Sequence, residues 1–348
     1  MGIAHLADLL RDETPKAIQS PPPDHYRGKI LAVDASILIF QFQSAMPVLS
    51  NRHGDDISVL QGLFNRTIYM LENGMKPVYV FDGIPPECKR AKVSKDGSSY
   101  VRKGPGPERH GDLKELLRLL GVPVIQAPSE AEATCAALVE KGRAWGAVTE
   151  DMDALPFGCT RLIRNLKADK KKNIEEYNLP EILQNLQMTQ EQFIDLCILL
   201  GCDYTSKIKG LGVKKAIKMM QKYGTIEGIL PNINPKDRIP PDFHYQEARK
   251  LFLEPDVVDV TSLNLEWKKV DEDKVLQFLS GEKHLNKEKV QRALQKLHPA
   301  ETSRKSKAKS KASGPSAEKQ KKISDFYPAK KSAIQEKPST GSSPTSNR

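Results

Sequence analysis

The chain has 348 residues, 39% of them hydrophobic, enough for one large or two small domains with a substantial core. Its formal charge of +10 comes mainly from residues 301–348, which carry twelve basic and four acidic side chains, so the nearly neutral remainder is no argument for nucleic-acid binding. No apolar run approaches the roughly 20 residues of a membrane span, no secretory signal opens the sequence, and the five cysteines lack a C-x-x-C pair, which argues for a reducing compartment and against zinc or disulfides.

Strands and helices alternate along the first half of the chain. The predicted elements are, in order, a strand at 29–34, a helix at 60–71, a strand at 78–82, a helix at 113–120, a strand at 122–126, a helix at 129–141 and a strand at 145–149. Because each strand is almost entirely apolar, the pattern predicts an α/β fold whose parallel sheet is covered on both faces. After residue 178 the chain is mainly helical, and the basic segment 300–348 is predicted to be disordered.

Acidic residues stand where the predicted strands end, and one more follows the apolar helix 193–200. The set is Asp34, Asp82, Glu130, Glu132, Asp151, Asp153 and Asp203. Ligands of open α/β sheets bind beyond the carboxyl ends of the strands. Carboxylates gathered there repel one another and need cations, and oxygen ligands with few histidines suit Mg²⁺ or Mn²⁺. Two such ions can serve a phosphodiester displacement. The absence of a Gly-rich phosphate loop disfavours nucleotide-triphosphate hydrolysis.

Local structure offers a second reading of some of these acids. A single acid at a strand end often caps the next helix, and Ser129 with Glu132 has the spacing of a capping box, which would explain Glu132 structurally. Glu130 and Glu132 can both approach a metal only if Glu130 lies at the very first turn. Asp151 and Asp153 point to one side if their stretch is extended.

Residues 203–216 contain the pattern I-x-G-x-G-x-K-x-A, typical of a helix-hairpin-helix. Its two glycines permit a tight hairpin and expose backbone amides that can hold a phosphate at the start of the next helix. Four lysines surround them: Lys207, Lys209, Lys214 and Lys215. Such an element contacts the backbone of a duplex without reading its sequence. The alternative is an ordinary helix end followed by a turn.

Six motifs together give the chain a specific resemblance. They are MGI at 1–3, VDAS at 33–36, VFDG at 80–83, APSEAEA at 127–133, TEDMD at 149–153 and LGCDY at 200–204. With them the sequence resembles the flap endonucleases of eukaryotic replication, in the XPG-like nuclease family, from residue 1 to about 297. The resemblance implies a PIN/XPG-like nuclease core that cleaves 5′ flaps and acts as a 5′–3′ exonuclease.

The same resemblance assigns roles to individual residues. It makes the seven acids ligands of two Mg²⁺ ions, for which Mn²⁺ can substitute, adds Lys89 to the catalytic residues, and places a K⁺ at the hairpin near Ile208 and Leu211. Phe40 stands where the family has an aromatic residue that stacks on a base. The implied DNA-binding residues are Gly2, Phe40, Lys89, Glu130, Gly201, Asp203, Lys207, Lys209, Lys214 and Lys215.

The tail carries a second kind of motif, at residues 320–327. It fits Q-x-x-[ILM]-x-x-[FY]-[FY], the peptide by which replication proteins dock on the sliding clamp, PCNA, through Gln320, Ile323, Phe326 and Tyr327. Three of these side chains form one apolar plug if the segment coils into a single turn. We expect a monomer, three of which can occupy one clamp ring, in the nucleus (nucleolus and nucleoplasm) and also in the mitochondrion. The basic run 304–311 is either an import signal or a solvated segment.

The chain departs from the family in the segment that encodes its helical arch. That segment is short here, and the arch arginine that follows Lys89 in the family falls at Asp96. The expected subdivision is a nuclease region at 1–96, a shortened arch at 97–121, an internal nuclease region at 122–255, the end of the core at 256–299, and the tail. Two alternatives stay open: a catalytically weakened junction- and clamp-binding paralogue, and an exonuclease that does not thread flaps. All seven acids are present, which favours an enzyme.

Overall fold

A computed structural model describes residues 2–45, 48–51, 53–90, 110–166, 173–234 and 237–298. Most of the predicted arch and the whole of the predicted clamp motif lie outside these ranges, as does the tail. Residues 1–299 form one compact unit, and the subdivision predicted within it stays a prediction. No helix in the described ranges is long and apolar enough to cross a membrane.

A seven-stranded sheet organises the molecule. Its strands are β1 (Ile18–Gln19), β2 (Ile30–Asp34), β3 (Lys76–Phe81), β4 (Val124–Gln126), β5 (Gly146–Val148), β6 (Arg161–Arg164) and β7 (Glu175–Asn178). Their order is β1-β7-β6-β5-β2-β3-β4. The five strands from β6 to β4 are parallel, whereas β7 runs antiparallel to both of its neighbours, β6 and the edge strand β1. The prediction of a parallel sheet is confirmed for the four predicted strands, β2 to β5, whereas β1, β6 and β7 were not predicted.

Helices cover both faces of this sheet. They are α1 (Leu6–Glu13), α2 (Ala35–Ala45), α3 (Ser58–Glu72), α4 (Gly111–Leu119), α5 (Ala131–Glu140), α6 (Leu179–Leu186), α7 (Gln190–Leu200), α8 (Val213–Tyr223), α9 (Ile226–Ile229), α10 (Tyr245–Leu253), α11 (Glu272–Leu276) and α12 (Lys287–Gln295). Residues 87–90 are also helical, and Gln277–Glu282 forms a π-helix.

The core consists of two apolar layers, one on each face of the sheet, and strand β3 shows how the chain fills both. Val78 and Val80 belong to one layer, while Tyr79 and Phe81 belong to the other. Side chains alternate between the faces of a strand, and all four of these are at most 1% exposed. Because helices cover both faces of the sheet, its polar side chains lie mainly at the ends of the strands. The predicted site is at these strand ends.

Candidate active site

Asp34 closes the central strand β2 and is completely buried. Its Oδ1 accepts a 3.0 Å hydrogen bond from the backbone amide of Ile37, and its Oδ2 accepts a 2.9 Å bond from the hydroxyl of Thr149. Thr149 follows β5, the parallel neighbour of β2. The two adjacent strand ends are thereby tied together through one carboxylate.

Asp82 follows strand β3 and caps helix α5 from outside it. Its Oδ1 accepts a 2.7 Å hydrogen bond from the amide of Ala131, and its own amide donates to the hydroxyl of Ser36 at 3.1 Å. The residue at the N-cap position of α5 is Glu130, with extended backbone and no side-chain capping bond. The predicted capping box of Ser129 with Glu132 is therefore wrong, and Glu130 does lie just before the first turn.

Asp151 and Asp153 lie in a tight turn, since residues Met152–Ala154 form a 3₁₀-helix. The amide of Asp153 donates a 3.0 Å bond to Oδ1 of Asp151, whose own amide donates to the hydroxyl of Thr149 at 3.1 Å. The stretch is not extended, so the two acids come together through this turn. Oδ1 of Asp153 also accepts a 2.9 Å bond from the amide of Ile3, which brings the N-terminal segment to the site.

Lys89 lies among acids that come from two other segments of the chain. Its Nζ is 2.5 Å from Oε1 of Glu130 and 3.3 Å from Oδ2 of Asp203. The other oxygen of Glu130, Oε2, accepts a 2.6 Å bond from the hydroxyl of Tyr204. Burial lowers the pKa of Lys89, but Glu130, Glu132 and Asp203 outweigh it and raise that pKa well above its usual range. The lysine is therefore held as a cation.

The acids are crowded enough to alter one another's protonation. Burial raises the pKa of Asp34 to about 7, and the nearby carboxylates of Asp82 and Asp151 contribute to that shift. Burial followed by repulsion from Asp34, Asp82 and Asp151 raises the pKa of Glu132 well above its usual range. Burial also raises the pKa of Asp153, which Asp151 and Asp203 raise further. All seven predicted acids thus lie within one electrostatic neighbourhood.

These acids fit divalent cations by their chemistry. Hard oxygen donors match hard cations, and repulsion among buried carboxylates is relieved when a cation binds. Among the described residues, no group of three or more His, Cys, Asp or Glu side chains already has the spacing of a metal site. The fit therefore rests on donor type and on mutual repulsion.

The predicted hairpin forms a tight turn before helix α8. Gly210 has a φ of 92°, which favours glycine, and Gly212 is the N-cap residue of α8. An open groove of about 830 Å³ runs along residues 206–212 beside Pro240 and Asp242. Gly201, with a φ of 109°, ends helix α7 just before Asp203. The turn thus links the candidate site to the groove.

The four hairpin lysines differ in their surroundings. Lys207, Lys209 and Lys214 are exposed, whereas Lys215 is half-buried and forms an ion pair with Asp237. Lys209 and Arg238 exchange two backbone hydrogen bonds, of 3.1 and 3.0 Å. The exposed lysines are therefore better placed to meet a phosphate than Lys215.

Comparisons with known proteins agree with this geometry. Family models of the XPG N-terminal domain and the XPG I-region match residues 1–100 and 121–203. The flap endonuclease 1 of Danio rerio is 44% identical over 328 residues, which cover 85% of this chain and 86% of the relative. That of Entamoeba histolytica is 41% identical, covering 85% and 87%. The chain belongs to the flap endonuclease family.

Solved structures support the same conclusion. The catalytic core of Rad2 in complex with DNA substrate is 26% identical, with a TM-score of 0.72, covering 85% of this chain and all of that core. The flap endonuclease-1 from Methanococcus jannaschii is 29% identical, with a TM-score of 0.67, covering 81% and 95%. The predicted resemblance, fold class and enzyme class are confirmed: this flap endonuclease is a metal-dependent, structure-specific hydrolase of DNA phosphodiester bonds.

Some residues of the flap endonuclease site were not predicted from the sequence. Thr149, which bonds two of the acids, and Tyr204, which bonds a third, both belong to motifs that carry the family resemblance, but neither was assigned a role. Phe40, which was predicted, lies half-buried on α2, the helix that begins directly after Asp34.

Proposed function

We propose that this flap endonuclease cuts DNA at the junction between a duplex and a 5′ single strand, and also removes nucleotides as a 5′–3′ exonuclease. The observation that carries the proposal is the gathering of the seven acids at one end of the sheet, where Lys89 interacts with Glu130, Glu132, Asp153 and Asp203. A Rad2 core of the same fold is known in complex with DNA substrate, which supports DNA as the substrate.

We propose two Mg²⁺ ions as the cofactor, with Mn²⁺ able to replace them. The electrostatic neighbourhood contains two overlapping groups that share Asp151, and this supports two ions rather than one. The first group is Asp34, Asp82, Glu132 and Asp151, and the second is Asp151, Asp153, Asp203 and Glu130. When bound, two such ions supply charge that stabilises the attacking and leaving oxygens of a phosphodiester displacement.

The protein's own contribution is to place the substrate against these acids. Lys89 adds a point charge that can hold a phosphate oxygen, and it lies between Glu130 and Asp203. Phe40 offers a ring on which a base can stack. Together these groups orient the substrate, and orientation can supply a large part of the reduction in the activation barrier of such reactions.

Duplex binding is assigned to the hairpin. The amides before α8 and the exposed lysines Lys207, Lys209 and Lys214 suit phosphate oxygens. A K⁺ near Ile208 and Leu211 would add positive charge where the duplex backbone passes. Such contacts hold any sequence equally, as a junction-specific enzyme requires.

In the cell we propose a role in Okazaki fragment maturation and base excision repair, in the nucleus and the mitochondrion. The motif at 320–327 would attach one monomer to each subunit of the sliding clamp, PCNA. The replication and repair functions of the family support this proposal, as does the basic run 304–311.

The test is cleavage of synthetic 5′-flap substrates in Mg²⁺, with the 5′ end either free or blocked by a bound protein. We expect incision near the base of the free flap and reduced incision of the blocked flap, with less discrimination between the two than a full-length arch gives. Equal incision of both favours an enzyme that does not thread the flap, and removal of single nucleotides alone favours the exonuclease alternative. Junction binding without any cleavage would identify the weakened paralogue.

A further inference from the structure

The Glu130 carboxylate is held by two donors. Tyr204 donates to Oε2 at 2.6 Å while Lys89 occupies Oε1 at 2.5 Å. Tyr204 is 4% exposed and Glu130 is 6% exposed, so water has little access to either group. With both oxygens engaged, the carboxylate has one orientation, and that orientation decides where the Lys89 ammonium lies.

The ring of Tyr204 is itself fixed by two aromatic neighbours. Its centroid lies 4.9 Å from that of Phe252 on α10 and 6.4 Å from that of Phe157, and the two phenylalanines are 5.0 Å apart. All three pairs have edge-to-face geometry, which is favourable for aromatic rings. Phe157 follows the turn that holds Asp153, so the ring cluster joins two segments of the active site.

Helix α10, which supplies Phe252, is anchored to the helix that leads to Tyr204. Arg249, less than one turn before Phe252, donates bonds of 2.7 and 2.8 Å to the two oxygens of Asp195 on α7. Asp195 is 2% exposed and also accepts a 3.0 Å bond from the amide of Ile226. The ring cluster therefore stands on a rigid pair of helices.

We propose that Tyr204 is a positioning residue, which fixes Glu130 and through it sets Lys89 beside Asp203. The inference rests on the proposed flap cleavage and adds a residue to it. Without the hydroxyl, Oε2 loses its only donor among the described residues, and the carboxylate can rotate and carry the ammonium away from Asp203. The ring cluster would still fill its space, so the fold would persist.

The substitution Tyr204→Phe isolates the hydroxyl, and Tyr26→Phe is its matched control. Tyr26 is also fully buried and donates a 3.0 Å bond to a buried glutamate, Glu176, which is not one of the seven acids. The measurements are the single-turnover rate of flap cleavage in Mg²⁺, the Kd for the flap substrate without Mg²⁺, and Tm.

We expect Tyr204→Phe to slow cleavage by about 10- to 100-fold, the usual loss when a group that orients a metal-site residue is removed. Its Kd should stay within about twofold of the wild type. Both substitutions should lower Tm to a similar degree. Tyr26→Phe should leave the cleavage rate within about twofold of the wild type. A rate for Tyr204→Phe within about twofold of the wild type, or an equal loss in Tyr26→Phe, overturns the proposal.

A double-mutant cycle tests whether Tyr204 acts on cleavage through Lys89. If Tyr204 acts by placing that lysine, Tyr204→Phe should cost less than about threefold in a Lys89→Ala background, since coupled residues are not additive. The full loss in that background overturns the proposed route. A wild-type enzyme that fails to cut flaps would instead overturn the proposed function, so the two failures are distinguishable.

Discussion

The backbone amide of Ile3 donates a 2.9 Å hydrogen bond to Oδ1 of Asp153, a residue 150 positions further along the chain. Gly2, directly before it, has a φ of 79°, and a Cβ built on it would overlap the carboxylate oxygens of Asp151 and Asp153. The N-terminal segment is thus part of the wall of the active site, and only glycine fits at its second position.

Gly2→Ala should therefore slow flap cleavage strongly. The added methyl group must displace one of the two acids, and a displacement of about 1 Å can cost about 100-fold in rate. Gly28→Ala is the matched control, because Gly28 has a similar φ of 75° with nothing near its Cβ position. It should cost about 1–2 kcal/mol of stability from backbone strain and leave the rate unchanged. Equal rates for the two variants would contradict the account.

The metal-free protein should lose stability as the pH rises towards neutrality. The pKa of Asp34 is about 7 in the folded state, against 3.8 ordinarily, so between these values the folded state binds more protons than the unfolded state. Stability then falls with rising pH across this window. The raised pKa values of Glu132 and Asp153 act in the same direction.

Thermal unfolding in a chelator checks this, as Tm should be lower at pH 8 than at pH 5.5. Added Mg²⁺ should raise Tm more at pH 8, because cations bind the deprotonated acids. The control is Asp34→Asn, in which the pH dependence should shrink. A metal-free Tm that rises between pH 5.5 and 8 in the wild type, and equally in the variant, would show that the acids are not crowded as described.

Two adjacent hairpin lysines should differ in their effect on DNA binding. Lys214 is exposed, and within the described ranges it has no ion-pair partner, whereas Lys215 is engaged with Asp237. Lys214→Ala should weaken binding and reduce the slope of log Kd against log salt by about 1, as expected for one lost phosphate contact. Lys215→Ala should change that slope much less. The opposite ranking would remove this surface as the duplex site.

The tail motif should be separable from catalysis. Phe326→Ala combined with Tyr327→Ala removes two of the three apolar anchors predicted in 320–327. We expect clamp binding to fall at least about tenfold, since buried aromatic anchors dominate such interfaces, while cleavage without the clamp is unchanged. Ile334→Ala, an apolar substitution outside the motif, is the control. Undiminished clamp binding by the double variant would refute the motif.

The sequence was sufficient to predict strands β2, β3, β4 and β5, because they are apolar runs of the right length and alternate with helices of clear periodicity. It did not reveal α2, whose sequence ASILIFQFQSA is so evenly apolar that no helical face stands out. Strands β6 and β7 were missed because both are short and rich in charge: Arg161 and Arg164 stand at the ends of β6, and Glu175 and Glu176 begin β7. Those charges pair across the strands, as Arg164 does with Glu175 and Arg161 with Glu176, and single-strand patterns cannot show such pairing.

The acids of the site could be found from the sequence because each stands at a strand end or beside a recognisable motif. The bonds that arrange them could not. Asp82 caps α5 from a strand 49 residues earlier in the chain, and Ile3 reaches Asp153 across 150 residues. Local spacing suggested a capping box at Ser129 instead, which illustrates how a tertiary contact overrides a local rule.

The most direct test of the account compares the wild type with Asp151→Asn on a 5′-flap duplex in Mg²⁺. Asp151 belongs to both groups of acids, so losing its charge should abolish incision, while DNA binding, which depends on the hairpin, should stay within about twofold. Asp8→Asn, at an exposed acid of α1, should behave as the wild type. We predict that the wild type incises the base of the flap in a Mg²⁺-dependent reaction and that Asp151→Asn does not. Equal incision by Asp151→Asn, or incision by the wild type in a chelator, would contradict the assignment of these acids.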